Sequence, residues 1–244
     1  MFIDIHAHVY RVKTKIPTAV EFCDPKELLK RYDELKIDCG VLLPIVNPEI
    51  YMPQSVEDIL EVCEMYPDRF IPYCNVDPRA ITNSPDAPLD QVVHYYKEKG
   101  CKGVGEVMPN LELQDPLVQN LFAAAAKEDL PIVYDGSIKH GHDFGLYDDP
   151  GLPQLEFTLQ DYPNLKVFGH GPVFWNEIAK LHTVAERGCF WGKTISISCC
   201  PRALWKKRAP YPSCCASTTT STATCPTAPL TTHWFVTTTT GLVS

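Results

Sequence analysis

The first 186 residues of the chain alternate short apolar runs rich in Val and Ile with longer amphipathic stretches. This alternation is typical of repeated βα units, in which each helix returns the chain so that the next strand runs parallel to the last. Six units can be counted, with predicted strands at Phe2–Val9, Cys39–Val46, Arg69–Val76, Cys101–Met108, Pro131–Tyr134 and Leu165–Gly169. The sequence therefore predicts an α/β fold built on a parallel sheet or barrel.

Helix starts are also signalled locally. Asp24 precedes Pro25 and is expected to cap a first helix, because its carboxylate can accept the free N–H groups of the first turn. Ser55 stands three residues before Asp58, which is the spacing of a capping box, and a third helix is expected to open near Pro88. Helices are thus predicted after each of the first three strands.

Polar residues stand at or just beyond the ends of four predicted strands, namely Asp77, Glu106, Asp135 and His170. The carboxyl ends of parallel strands form one rim, and α/β folds build their active sites there. We therefore expect a functional site at this rim. Asn75, Asp77 and Arg79 are predicted to bind substrate beside it, although Arg79 could instead cap a helix or pair with Asp77.

Two histidines lie on the first predicted strand, within the run Asp-Ile-His-Ala-His from Asp4 to His8. Side chains on a strand alternate with a period of two, so His6 and His8 are predicted to share one face, opposite Ile5, Ala7 and Val9. Imidazole nitrogens about 2 Å from a divalent ion are ordinary zinc ligands. The pair predicts a metal site, and the alternative of two polar residues on a half-exposed strand is disfavoured for a strand buried on both faces.

Two further residues of the rim have local contexts that suggest function. Glu106 lies in a Gly-Val-Gly-Glu-Val run and is either a metal ligand or base, or a carboxylate held in an ion pair inside the barrel. The sequence leaves both interpretations open. His170 lies between Gly169 and Gly171, which allow another group to approach closely, and it is predicted to be catalytic.

The eleven cysteines do not form a disulfide framework or a zinc module in this interpretation. Five are scattered singly through apolar segments and are expected to be reduced core residues: Cys23, Cys39, Cys63, Cys74 and Cys101. The adjacent pairs Cys199-Cys200 and Cys214-Cys215 lack the separation that lets two thiolates share a tetrahedral metal.

The net charge of −8 excludes a nucleic-acid binder that relies on bulk positive charge. No run approaches the roughly 20 apolar residues needed to cross a bilayer, and the first residues lack a basic and then apolar signal sequence. We therefore expect a cytoplasmic protein with a small-molecule substrate and no nucleic-acid or membrane partner. A homo-oligomer is left open.

Taken together, these motifs resemble those of the amidohydrolase-related metal-dependent hydrolases, a family that also contains decarboxylases such as aminocarboxymuconate-semialdehyde decarboxylase. The resemblance rests on the Asp-x-His-x-His start, the Gly-Glu-Val of strand four, the loop Tyr147–Pro153, and the Gly-His followed by Phe174 and Trp175. It implies a (β/α)₈ barrel, like that of triosephosphate isomerase (TIM), with one bound divalent metal, zinc being favoured, and a metal-activated water. It implies His6 and His8 as ligands and places His170 beside the metal, where it polarises substrate or moves protons.

The chain also departs from the pattern of that family. The family's strand-five histidine ligand falls where this chain has Asp135, and a carboxylate ligand changes the charge and basicity of the site. His140 and His142 in the following loop either compensate or, as is favoured, lie at the surface. The strand-eight aspartate, which in the family binds metal and orients the water, has no counterpart, so the resemblance leaves the activity of this chain open.

The last 58 residues differ in kind from the rest. They carry a net charge of +6 against −14 before them, and they hold 12 threonines from Ala216 onward. Thr codons read one base earlier encode Tyr, His, Asn or Asp. We hypothesise that the chain leaves an ancestral reading frame between about Cys189 and Cys200, the alternative being a genuine Thr/Ser/Pro-rich linker. The prediction is a partial barrel over residues 1–188, incomplete after strand six, and an out-of-frame or disordered tail over 189–244.

The function predicted from these features is hydrolysis of a C–N or C–O bond in a small carboxylated molecule through a metal-activated water. Its ligand set is His6, His8, Glu106 and Asp135. Two alternatives are kept, a metal-dependent non-oxidative decarboxylase and a non-catalytic product of a disrupted gene.

Overall fold

The computed structural model describes residues 2–12, 22–50, 54–138 and 144–171, together with Phe174 and Glu177. Within these ranges the strands are β1 (Ile3–Ala7), β2 (Cys39–Leu42), β3 (Phe70–Pro72), β4 (Val104–Val107), β5 (Leu111–Glu112), β6 (Ile132–Ser137), β7 (Leu146–Tyr147) and β8 (Val167–His170). The helices are α1 (Pro25–Leu35), α2 (Val56–Met65), α3 (Leu89–Glu98), α4 (Pro116–Lys127) and α5 (Pro153–Asp161). None of these helices is both long and apolar enough to span a bilayer.

Six of the strands lie side by side in the order of the chain. Strands β1, β2 and β3 pair in parallel, as do β4, β6 and β8, and a parallel bridge between Cys74 and Val104 connects the two groups. Each of the six overlaps a predicted strand, which confirms the α/β fold. A helix follows each of the first five predicted strands, and the region after the sixth lies mostly outside the described residues. The predicted loss of the barrel strands after strand six, the tail at 189–244 and the reading-frame hypothesis concern residues outside those described, as do His140 and His142.

Two short strands were not predicted. β7 pairs in parallel with the end of β6, and β5 pairs with β7, each over two residues. A segment of two residues has no hydrophobic periodicity, so the sequence carries no signal for it. Both strands extend the sheet at the rim that follows β4 and β6.

Capping residues start the helices where they were predicted. The Asp24 carboxylate accepts the backbone N–H of Glu27 at 3.0 Å, and the Glu27 carboxylate accepts the N–H of Asp24 at 3.0 Å. Ser55 and Asp58 form the same reciprocal box at the start of α2. α3 begins at Leu89, directly after Pro88, without a side-chain cap.

The core has an inner and an outer part. The inner cluster consists of strand residues and residues directly after strands, with Ile3, Val41, Leu43, Tyr73 and Val133 fully packed and Ile5, Ile71 and Phe168 against them. The outer clusters include apolar residues of all five helices. Cys63, Cys74 and Cys101 are buried, Cys23 and Cys39 are half-buried, and all five are free thiols, as predicted.

Asp148 caps α5 from a distance in the chain. Its carboxylate accepts the backbone N–H groups of Asp149, Gln154 and Leu155 at 2.7 to 3.0 Å. Burial nevertheless raises the pKa of Asp148 to about 6, against the effect of those three donors, which favour the ionised form. The cap therefore couples the stability of this helix end to pH.

The Asp148→Asn variant is expected to flatten the pH dependence of stability. Because the pKa of Asp148 is about 6 in the folded protein and 3.8 ordinarily, the folded chain keeps a proton that the unfolded chain has lost between these values. The stability that the raised pKa of Asp148 gives the folded protein is therefore fully present below about pH 4 and is lost as the pH rises through about 6. Urea unfolding of the wild type and of Asp148→Asn at the two ends of this window measures the loss of stability with rising pH. An equal loss in the two proteins would contradict the prediction.

Candidate metal centre

The first strand contains a β-bulge immediately before its histidines. Asp4 pairs with Gly40 and Ala7 pairs with Leu42, so β1 advances three residues where β2 advances two. One extra residue in a strand reverses the face on which the following side chains lie. Accordingly Ile5 packs with the inner cluster, whereas Ala7 and Val9 pack against the helices. The prediction that Ile5 shares a face with Ala7 and Val9 was wrong, because strict alternation does not allow for a bulge.

His6 and His8 nevertheless lie on the same side of the strand. Their Nε2 atoms are 3.0 Å apart, and each faces Oε2 of Glu106, at 3.2 Å from His6 and 3.1 Å from His8. His6 and Glu106 are buried, and His8 is 10% exposed in its side chain. Two imidazoles and a carboxylate from β1 and β4 therefore converge on one point.

The end of β8 adds a third histidine to this cluster. His170 is buried, and its Nε2 contacts the other carboxylate oxygen of Glu106, Oε1. One ligand-type atom from each of His6, Glu106 and His170 lies within 4.8 Å of the others. Among the described residues, the buried Nδ1 atoms of His6 and His170 have no hydrogen-bond partner. Unpartnered buried polar atoms are costly, and each one calls for an explanation.

The hydrogen bond at Nδ1 of His8 leaves its Nε2 available to a cation. Nδ1 of His8 lies 2.7 Å from the backbone carbonyl oxygen of Leu43, which can only accept a hydrogen bond, so Nδ1 carries the proton. In a neutral ring, Nε2 then carries a lone pair that faces Glu106 Oε2, another electron-rich atom. A positive ion between them relieves this repulsion, and an imidazole held by a backbone carbonyl is the usual arrangement of a metal-bound histidine.

The protonation states of the cluster suit metal binding. Burial lowers the pKa of His6 below its usual value, against the attraction of Glu106. Burial also lowers the pKa of His170, to about 3, against the same attraction. Burial would raise the pKa of Glu106, but His170 and His6 outweigh it and hold that pKa well below the usual range. Neutral imidazoles and an ionised carboxylate are the forms in which these groups bind metals.

Asp135, the predicted strand-five ligand, lies next to this cluster. It pairs in register with His170, and its carboxylate packs against Gly171, where an added Cβ would lie 2.5 Å from Oδ1. Gly171 has φ +100°, a conformation that favours glycine. Burial, together with the negative charge of Glu106, raises the pKa of Asp135 well above its usual value. The carboxylate oxygens of Asp135 are not part of the group formed by His6, Glu106 and His170.

Asn75 is predicted to bind substrate, but its amide nitrogen is already engaged with the backbone. Nδ2 donates to the carbonyl oxygens of Pro44 at 3.0 Å and Glu106 at 2.6 Å, and the residue is buried. Asn75 thereby ties the end of β4 to the segment after β2. In this structure it positions the backbone of Glu106.

Arg79 forms ion pairs with two carboxylates at the same rim. Its guanidinium donates to both carboxylate oxygens of Asp77, at 2.8 and 2.6 Å, and to both of Glu49, at 2.7 and 2.8 Å. These hydrogen bonds raise the pKa of Arg79, and the hydrogen bond from Arg79 lowers that of Glu49. The alternative interpretation, in which Arg79 pairs with Asp77, describes the observed contact.

Sequence reasoning missed three contributors to this region. The Leu43 carbonyl orients His8, Phe22 stacks on His8 with ring centroids 4.8 Å apart and planes at 13°, and Glu49 shares Arg79 with Asp77. None has a local signal, because a carbonyl is common to all residues and the other two act across long stretches of chain.

No protein-family model matches the sequence, and no curated protein matches it either. Among solved structures, the chain is similar to an uncharacterized TIM-barrel protein from Bordetella bronchiseptica, with 14% identity and a TM-score of 0.54 over 77% of this chain and 73% of that one. At this identity the likeness shows the fold, which is that of a TIM barrel.

Two other solved structures are similar at lower TM-scores. One is 5-carboxyvanillate decarboxylase from Novosphingobium aromaticivorans complexed with manganese, with 15% identity and a TM-score of 0.49 over 76% of this chain and 70% of that one. The other is a probable 2-pyrone-4,6-dicarboxylic acid hydrolase from Acinetobacter baumannii, with 17% identity and a TM-score of 0.47 over 74% and 66%.

Proposed function

We propose that this chain is a metal-dependent hydrolase of the amidohydrolase type, with its catalytic unit within residues 1–188. The single observation that carries the proposal is the convergence of His6 Nε2, His8 Nε2 and Glu106 Oε2 at mutual distances of 3.0 to 3.2 Å. Ligands about 2 Å from one ion are separated by about 3 Å, so these spacings are compatible with donors around a shared metal. The sequence resemblance supports the same assignment.

His6, His8 and Glu106 are the proposed metal ligands, and Asp135 is the proposed fourth group of the site. A set of imidazole and carboxylate donors suits zinc and also manganese, and zinc is the metal we favour. When bound, the ion would lower the pKa of a water to about 7 and polarise a substrate carbonyl. The protein supplies the imidazoles of His6 and His8 and the ionised carboxylate of Glu106, and His6 and Glu106 are buried.

His170 is proposed to act on the substrate and not as a metal ligand. Its Nε2 contacts Oε1 of Glu106, whereas His6 and His8 approach Oε2. From there it can hydrogen-bond the substrate or the attacking water and carry a proton to the leaving group. Asn75 keeps the backbone of Glu106 in place, and Asp77 and Arg79 contribute a charged edge beside the site.

The proposed reaction is hydrolysis of a C–N or C–O bond. The substrate class, a small carboxylated molecule, follows from the sequence resemblance. A metal-dependent decarboxylation is the second outcome that the test distinguishes, and a chain that binds no metal is the third.

Metal removal and reloading tests the proposal on the full chain. We expect one equivalent of metal per chain by elemental analysis, loss of turnover after dialysis against a chelator, and recovery with Zn²⁺ or Mn²⁺. Activity is assayed as acid release from a panel of carboxylated amides, lactones and esters, with carbon dioxide release from carboxylates measured in parallel. Carbon dioxide without hydrolysis would replace the proposed reaction by decarboxylation, and sub-stoichiometric metal would overturn the metal centre itself.

The matched control for the ligand assignment is a histidine elsewhere on the surface. His94 is exposed and hydrogen-bonds Glu128, so it offers an imidazole and carboxylate pair outside the site. His94→Ala is expected to keep one equivalent of metal, whereas His6→Ala and His8→Ala are expected to lose it.

A further inference from the structure

We infer that Asp4 and Tyr32 are positioning residues, which hold the β1 bulge that turns His6 toward Glu106. The inference rests on the proposed metal centre and names the residues that give one of its ligands its direction. Neither residue is part of the proposed ligand set.

The bulge decides which way His6 points. Ile3 and Ile5 both face the inner cluster, so in a regular strand the residues between and after them, Asp4 and His6, would face the helices. The extra residue between Asp4 and Ala7 reverses this order from His6 onward. His6 therefore reaches Glu106 because of the bulge.

The side chain of Asp4 binds the backbone at the bulge. Asp4 is 4% exposed, and its Oδ1 accepts the backbone N–H of His6 at 3.0 Å. The pairing of β1 with β2 gives no partner residue to Ile5 or His6, so this side chain replaces part of the missing ladder. A carboxylate thus holds the first residue whose direction the bulge changes.

Tyr32 of α1 holds Asp4 in turn. Its hydroxyl donates to Oδ2 of Asp4 at 2.9 Å, and the residue is 0% exposed. Gly40, which pairs with Asp4 on β2, makes room for the ring, since an added Cβ there would lie 2.7 Å from Cζ of Tyr32. One strand, one helix and the neighbouring strand therefore interlock at the base of the site.

Burying the Asp4 carboxylate costs free energy, which a role in packing alone does not require. A buried carboxylate loses its hydration, and apolar residues of similar volume at such positions are often equally or more stabilising. The pair does, however, fix the orientation of the backbone at the bulge, because each oxygen of Asp4 binds one defined hydrogen. This is the property that a metal ligand needs from its support.

The test compares metal affinity in variants that keep the fold. Asp4→Ala removes both acceptors and Tyr32→Phe removes one hydroxyl, so we expect the dissociation constant for Zn²⁺ to rise by about 10- to 100-fold in the first and by about tenfold in the second. Asp4→Asn keeps an oxygen for the His6 N–H and an amide for the Tyr32 hydroxyl, and is expected to restore most of the affinity. Affinities are measured on the full chain by competition with a chromogenic chelator.

A matched control separates positioning from stability. Tyr96, a half-buried residue of α3, also donates its hydroxyl to a carboxylate, Glu57, at 2.9 Å, but this hydrogen bond is exposed. Tyr96→Phe is expected to leave the Zn²⁺ dissociation constant unchanged, whatever it does to the melting temperature. Folded Asp4→Ala and Tyr32→Phe proteins with wild-type affinity would overturn the inference.

A second readout does not depend on metal. Amide hydrogen exchange of His6 in the metal-free protein reports whether Asp4 holds its N–H, and we expect faster exchange in Asp4→Ala than in Asp4→Asn. If the wild-type chain binds no Zn²⁺, the proposed function fails, and the positioning of the bulge is then decided by this exchange alone. Unchanged exchange in Asp4→Ala would overturn it.

Discussion

Replacing Glu106 with glutamine is expected to lower the affinity for a divalent metal by more than about 100-fold, since loss of a supporting residue already costs 10- to 100-fold. Glu106 is the carboxylate that both first-strand histidines face, at 3.2 and 3.1 Å, and its other oxygen contacts His170. Glutamine keeps the shape but removes the charge, and its amide offers one oxygen in place of two. Elemental analysis and chelator competition measure the loss, and turnover is expected to disappear with the metal.

The matched control for this substitution is Glu112→Gln. Glu112 lies on the short strand β5, is exposed, and belongs to the same segment that follows β4. It is expected to bind metal and to turn over as the wild type does. Wild-type metal affinity in Glu106→Gln would show that the ion, if present, is held elsewhere.

Replacing Phe122 with alanine is expected to lower the free energy of unfolding by about 3–5 kcal/mol, the usual cost of deleting a buried aromatic ring. Phe122 is 0% exposed and packs in the outer cluster between α4 and the strands, where its removal leaves a cavity. For a chain of this size the loss corresponds to a melting temperature lower by roughly 6–20 °C. Urea unfolding and differential scanning calorimetry measure the two quantities.

Phe157→Ala serves as the control for the same substitution. Phe157 lies on α5 and is 57% exposed, so deleting its ring removes little packing and is expected to change the free energy of unfolding by less than about 1 kcal/mol. A Phe122→Ala protein as stable as Phe157→Ala would mean that the outer cluster does not carry the fold. The Zn²⁺ affinity of the folded Phe122→Ala protein is expected to stay at the wild-type value.

Much of the fold follows from patterns within single segments. The periods of the apolar residues predict the six main strands, and Asp24 and Ser55 predict two helix starts to the residue. The His-x-His spacing likewise identifies the strand that carries the candidate ligands. These features are local, because hydrogen bonds of a helix turn and alternation along a strand involve residues only two to four positions apart.

The sequence could not decide between the two interpretations of Glu106. Its partners are His170, 64 residues later, and His6 and His8, about 100 residues earlier, and the sequence contains no measure of these distances. The same holds for Arg79, which pairs with nearby Asp77 as the alternative suggested and also with Glu49, 30 residues away. Partner choice of this kind depends on how the strands pack side by side.

The sequence by itself determined that this chain forms βα units and that two histidines stand on the first strand. Only the tertiary structure decided that His6 faces Glu106, because the bulge between Asp4 and Ala7 arises from the pairing of β1 with β2. A shift of one residue leaves the sequence pattern unchanged and yet reverses the face of every side chain beyond it. The site therefore depends on strand register, which becomes defined when the strands pack, with Asp4 and Tyr32 bound to each other beneath it.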